Sequence, residues 1–432
     1  MIIAHNTQIR SLIRPRYAPE DLAALARFFT AHGTLDITVK SNGLYAAVGN
    51  AAVGTSSGYD ATWLRDTVMV ANYFRETGQV APVQRTVATL TRYFYTQKSR
   101  FLDIIMGGAS GNDPMRRPHV RFAGDTLTEI DQPWPHAQND ALGYALWLAM
   151  RLANTGHWVP TDDDWALYAV FPLYFAAITY WADEDSGHWE ETRKIESSSI
   201  GVVIAALEEM KRFLAMRGAP AVRVGPYAFT PTLLDTMIAR GRTRLAAFLP
   251  HESPPMRLAD GALLFLLYPM EVVDAATGAG ILDNILTNLV GAHGICRYRG
   301  DSYWCADYKT LLPAAERTVD FSRDLERRDK MLKPGTEAQW FLFDPLLSVI
   351  FARKFLNTRH PQDHERQIHH FNRALALLTA DDFPLGAGRC PEAYYVADSS
   401  VGAYVPNDHV PLAWSQANLG LAFHYMKTVC VE

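Results

Sequence analysis

Residues 139–153 read NDALGYALWLAMRLA, and after Asn139 and Asp140 the one charged residue in them is Arg151. A helix on a protein surface carries a polar stripe. This stretch has none, so it predicts a helix buried on every side. Its neighbours differ. PTDDDWALYAVFPLYFAAITYW, residues 160–181, opens with Thr161 and Asp164 three apart, as a capping box does. HPQDHERQIHHFNRALALL, residues 360–378, is strongly polar in its first half, as an outer helix is. Helices are expected near 19–32, 60–78, 82–104, 137–155, 162–182, 195–217, 229–249, 271–290, 308–330, 338–356, 362–379 and 411–427. Strand-like alternation is confined to brief pieces such as HVRF and AYYV. Buried and half-polar helices alternate, and a ring of inner helices wrapped by outer ones does this. The expected fold is all-α, an (α/α)6 barrel. No linker or low-complexity segment divides the chain. It reads as one domain over 1–432, with 1–55 as an N-terminal helix and lead-in.

The 432 residues are 48% hydrophobic and 20% charged, enough for a large core. A net charge of -5 without a block of like charge argues against a nucleic-acid partner or a polybasic membrane patch. No apolar run reaches the ~18 residues of a membrane span. The start, MIIAHNTQIRSLIRPRY, lacks the apolar core of a signal peptide. Cys296, Cys305, Cys390 and Cys430 form neither a CxxC nor a disulfide framework. A reducing cytoplasm is the expected compartment. Nothing in the sequence fixes an oligomeric state.

Two long connections interrupt the helices, at 105–136 and 380–410, and loops of that length inside a compact domain are usually functional. Tryptophans stand beside polar clusters in or before helix starts. They are Trp63 in YDATWLRD, Trp134 in QPWPHAQND, Trp189 in HWEE, Trp304 in GDSYW, Trp340 in TEAQW and Trp414 in PLAWSQAN. Indole faces suit the C–H faces of sugar rings. In an (α/α)6 barrel these segments can ring one funnel. HWEE also sets Glu190 and Glu191 side by side after an indole. Either they are solvated charges at a helix start, or one is a proton donor whose pKa an apolar wall raises. A glycosidase needs such a pair of carboxyls, one protonated and one ionised, across the scissile bond.

Taken in order, TWLRD, WPHAQNDALGYAL, WEE with its Ser-rich helix, RYRGDSYW and PEAYY…PLAWSQANL resemble glycoside hydrolase family 15, the glucoamylase family. The likeness is strongest to its relatives near the phosphorylase kinase α-subunit, and it spans roughly residues 55 to 425. It implies an (α/α)6 barrel and inverting, exo-acting release of β-glucose from α-glucosides, with no cofactor. It implies Glu190 as general acid, Glu191 as its sugar-contacting neighbour and Glu392 as general base. Arg65 and Asp66 match the pair that grips the terminal glucose, Arg297 a further sugar-binding arginine, and Trp63 and Trp134 aromatic walls. Asp140 lies in the second sugar-gripping motif, six residues after Trp134. Trp189 and Trp340 complete the expected aromatic lining. Nothing in these 432 residues reads as the β-sandwich of many bacterial relatives or as a starch-binding module, so short soluble oligosaccharides are expected rather than granular starch.

Several readings stay open. Glu337, in KPGTEAQW, is a second candidate base, or simply a glutamate before a helix. The histidines of HPQDHERQIHH suit a solvated outer helix better than a metal site, and no metal is expected. A non-catalytic sugar-binding barrel like that of phosphorylase kinase is the main rival. A sugar epimerase working through His119 and His136 is another.

Overall fold

The computed structural model describes residues 3–49, 54, 58–218 and 220–431. The apolar stretch forms the helix Asn139–Asn154, and every residue from Asn139 to Met150 is buried. It is one of an inner set. Among the described residues, that set runs Leu64–Glu76, Asn139–Asn154, Ser197–Arg217, the 3-10 helix Gly261–Leu266, Phe343–Thr358 and Ala413–Val431. Each packs on the next, and the last packs back on the first, which closes the ring. The outer set is Val80–Ile105, the pair Asp162–Tyr168 and Val170–Ala177, Pro231–Phe248, Ala275–Asn288, Pro361–Ala376 and Pro19–His32. This is the (α/α)6 barrel. Outer helices bury one stripe. In Pro361–Ala376 the buried apolar residues are Ile368, Phe371, Ala374, Leu375 and Ala376, following the helical period.

The segments leading into the inner helices carry short antiparallel strands. Thr62–Trp63 pairs with Arg121–Ala123, which pairs with Thr128–Glu129. A second sheet runs Tyr404–Pro406, Ala393–Val396, Gln339–Trp340, Gly294–Ile295, Val290–Gly291 in spatial order. Its register sets Trp340 opposite both Ile295 and Ala393. Three loops distant in sequence are thereby stitched into one rim. Of the expected strand-like pieces, AYYV is the strand Ala393–Val396, and HVRF contributes only Arg121 and Phe122 to Arg121–Ala123.

Two expectations need correction. The helix expected over 308–330 is broken into Tyr308–Leu311, Ala314–Glu316 and Leu325–Asp329. Pro313 ends the first piece by driving Leu312 into extended backbone, φ -121 and ψ 127. The helix expected over 162–182 is two helices, and Thr179 turns left-handed at φ 58. The fourth inner position carries no α-helix but six residues of 3-10 helix. Gly261 begins it pressed against Phe343, where an added Cβ would stand 2.4 Å from the ring. Pro269 bars continuation. Of the 1–55 lead-in, positions 1, 2, 50–53 and 55 lie outside the described residues.

Candidate active site

Glu190 ends a 3-10 turn, Gly187–Trp189, with φ 59 and ψ 49, a left-handed conformation unfavourable for a residue with a side chain. Gly187 permits the turn, since an added Cβ there would lie 1.4 Å from Glu196 Oε2. The turn sends the adjacent carboxylates into different surroundings. Glu190 faces an open cleft. Burial raises its pKa, against the opposing pull of Arg65, Arg121, Trp63 and Gln138. Gln138 Nε2 donates to its Oε1 at 3.3 Å, and Arg65 stands 3.8 Å away. Glu191 is 1% exposed. It accepts from Tyr298 Oη at 2.5 Å, Arg328 at 3.0 Å, Arg257 at 3.1 Å and Arg297 at 3.4 Å. Burial would raise its pKa, but Arg257, Arg297 and Arg328 override it and hold the group ionised far below the usual range. The following helix begins at Ser197 with Glu196 as N-cap, so neither carboxylate is a solvated helix-start charge.

Glu392 approaches the same cleft from the rim sheet. Its backbone N–H donates to His409 O at 3.0 Å, and its carbonyl accepts from Phe341 N–H at 3.1 Å. The side chain accepts from Asn407 Nδ2 at 2.6 Å and the Tyr59 hydroxyl at 2.8 Å, and lies 2.6 Å from His409 Nδ1. Burial opposes its ionisation, yet His409, Tyr59 and Asn407 together lower its pKa. Asp66 sits in the cleft within the field of both carboxylates. Burial raises it to about 7 despite Arg65, and Glu190 and Glu392 add to the rise.

Arg65 is clamped, donating to Asp140 at 2.7 Å, Gln138 at 2.7 Å and the Gly187 carbonyl at 3.0 Å. Arg297 forks onto Asp301 with two 2.7 Å bonds and lies over the rings of Trp340, Tyr303 and Trp189, at 4.8, 5.0 and 5.2 Å. Such pairing fixes a guanidinium in advance of any ligand. Trp63 and Trp134 meet edge to face at 6.2 Å, with Arg121 over both. Trp189 donates its indole N–H to Asp260 at 2.8 Å. Among the described residues, the buried indole N–H groups of Trp134, Trp340 and Trp414 have no partner, and all three rings line the cleft. A buried donor without a partner is costly and normally has a reason.

Of the residues singled out in the sequence, the structure gathers Trp63, Arg65, Asp66, Trp134, Trp189, Glu190, Arg297, Trp340 and Glu392 around this one cleft. Asp140 and Glu191 stand behind it, bonded to Arg65 and to Arg297 and Arg328. Glu337 is not brought to it. Its Oε1 accepts from the Gly300 N–H at 2.9 Å, and Oε2 is 3.9 Å from Arg299. His119 and His136 stack at 3.7 Å outside the cleft lining. The His-rich run lies on the outer helix, where His370 packs against Asp344 at 2.8 Å. Among the described residues no group of His, Cys, Asp or Glu is arranged to hold a metal ion. Sequence reading missed Tyr59, Tyr303, Arg328, Asn407 and His409. Signals were present: Tyr59 stands four residues before Trp63, and NDH closes the long 380–410 loop. Residues 317–321 also line the cleft mouth, from the segment expected to be helical.

The family model for glycosyl hydrolases family 15 matches residues 39–334. The skeletal muscle regulatory alpha subunit of phosphorylase b kinase from Oryctolagus cuniculus is 27% identical over 321 residues, 69% of this chain and 24% of that one. The chain thus spans about a quarter of that relative's length. A glycosidase variant solved in complex with glucose matches with a TM-score of 0.65 at 19% identity, covering 95% of this chain and 99% of that one. Glucoamylase from Saccharomycopsis fibuligera matches at 0.60 and 13%, covering 96% and 97%. These likenesses establish the shared barrel.

Proposed function

The chain belongs to glycosyl hydrolases family 15, and from that premise we propose that it is an inverting, exo-acting α-glucosidase. It releases β-glucose from the non-reducing end of short α-gluco-oligosaccharides, of isomaltose or maltose type. One observation carries the reading: two carboxyls, Glu392 buried and Glu190 half-buried, face one cleft, and their surroundings push them in opposite directions. Glu190 is raised by burial and Glu392 lowered by its donors. That split is what a general acid and a general base require.

Glu190 gives its proton to the glycosidic oxygen as the bond to C1 breaks. Glu392 takes a proton from a water that attacks C1 from the opposite face. Glu190 is left ionised and Glu392 protonated, and exchange with solvent resets both. Arg65 and Asp66 grip the terminal glucose through its outer hydroxyls, which makes cleavage exo. Trp63, Trp134, Trp189 and Trp340 supply apolar faces, and the unpartnered indole N–H groups of Trp134 and Trp340 supply donors to hydroxyls. Glu191 acts through Arg297 and Arg328 rather than on the sugar. Glu337 serves the rim loop at Gly300. No step needs a cofactor. Four free cysteines suit a reducing cytoplasm, and no described helix is long and apolar enough to cross a membrane.

The likeness to phosphorylase kinase subunits favours a second reading, a barrel that binds sugar without turnover. A panel of α-1,4, α-1,6, α-1,2 and α,α-1,1 gluco-disaccharides, with glucose release as readout, separates them. An α-glucosidase should release glucose from at least one linkage, and Glu190→Gln should abolish that release. Saturable binding with no release from any would support the regulatory barrel.

A further inference from the structure

Glu392 is held unevenly. Oε2 is engaged by Asn407 Nδ2 and His409 Nδ1, each at 2.6 Å, whereas Oε1 has the Tyr59 hydroxyl at 2.8 Å. Oε1 is therefore the oxygen with a lone pair to spare. His409 is itself fixed. Its ring stacks on Tyr59 at 3.7 Å and meets Trp304 edge-on at 5.7 Å. Yet it also lines a second cleft, with Trp304, Lys309, Tyr395 and Asp408. Glu392 lines the first cleft and His409 the second, so the imidazole is part of the wall between them. Other titratable groups around the pair are Tyr59, Tyr303 and Asp66 on the substrate side, and Lys309 and Asp408 on the other.

We propose that His409 is the positioning residue of the general base. It holds Oε2 so that Oε1 receives the water's proton. In the step it supports, the water's O–H bond breaks toward Oε1 and its oxygen bonds to C1. The bond from C1 to the glycosidic oxygen breaks, its electron pair goes to that leaving oxygen, and the leaving oxygen takes the proton of Glu190. The inference rests on the reading of Glu392 as base.

The test uses the full chain and a disaccharide that it cleaves. His409→Phe keeps a ring on Tyr59 but removes the donor. It should lower kcat about tenfold to a hundredfold, the range for a hydrogen bond to a charged group, with KM near the wild-type value. The acidic limb of the kcat/KM profile should move to higher pH, because without its donor burial drives Glu392 toward protonation. His409→Ala should regain activity with added imidazole, because the vacated space borders the second cleft and can take a ring beside Oε2. Unchanged kcat and acidic limb in His409→Phe would overturn the proposal. So would a folded His409→Ala that ignores imidazole, and this second variant decides the matter if His409→Phe fails to fold. Glu392→Gln run alongside keeps the two readings apart. Full activity in it removes the base itself, whereas its inactivity beside an unaffected His409→Phe removes this proposal alone.

Discussion

Glu191→Gln takes one charge out of a buried cluster, and the structure says which cation it strands. Arg297 keeps its fork to Asp301, and Arg257 keeps Asp260 at 3.3 Å. Arg328 keeps the neutral Ser302 hydroxyl at 2.9 Å, with no second carboxylate paired to it among the described residues. Breaking a buried ion pair costs about 3–5 kcal/mol. With one stranded cation, the lower end applies, about 3 kcal/mol. At about 2.1 cal/mol/K per residue over 432 residues, that lowers Tm by roughly 3 °C. The pH dependence has a definite sign. Glu191 is depressed below its ordinary 4.5, so its contribution is full above that value and fades as pH falls toward the folded-state value. Calorimetry should show the largest Tm gap near neutral pH and a narrowing gap in acid. An unchanged Tm at neutral pH, or a gap that widens in acid, would refute the reasoning.

Glu190→Gln should keep the fold and lower kcat on disaccharides by roughly 10²–10⁴, the range for losing a general acid. Steady-state kinetics should show a smaller loss with glucosyl fluoride, whose leaving group needs little protonation. Arg65→Ala and Asp66→Asn should depress turnover of every linkage alike in the same disaccharide panel, because they hold the glucose common to all. A switch in linkage preference at full activity would move them to the leaving-group side. Glu392→Gln should cost far more kcat than Glu337→Gln, whose carboxylate bonds to Gly300 away from the cleft. The reverse order would reassign the base.

The barrel was legible where local composition carried it. NDALGYALWLAMRLA has no polar stripe, and no packing partner is needed to see that it must be buried. The fourth inner position was not legible, because GALLFLLYPM is short, bounded by Gly261 and Pro269, and held in 3-10 form by Phe343 rather than by its own propensity. The 308–330 segment has helix-forming residues but is cut at Pro313, and its middle lines the cleft mouth. At the site, motifs of adjacent residues were visible: WLRD, HWEE, PEAYY. The setting of Glu392 was not, because Tyr59 lies 333 positions away and is brought to it by closure of the ring. Asn407 and His409 lie 15 and 17 positions away, across a strand turn that sequence spacing alone does not define. HWEE showed that two carboxylates were placed together. The left-handed turn at Glu190 that separates them is a property of backbone and packing.

The central claim is inversion by Glu190 and Glu392, and the anomer of the first product tests it most directly. Proton NMR during the first minutes of hydrolysis, before mutarotation, should show β-glucose from an α-linked disaccharide. α-Glucose as the first product would contradict the account.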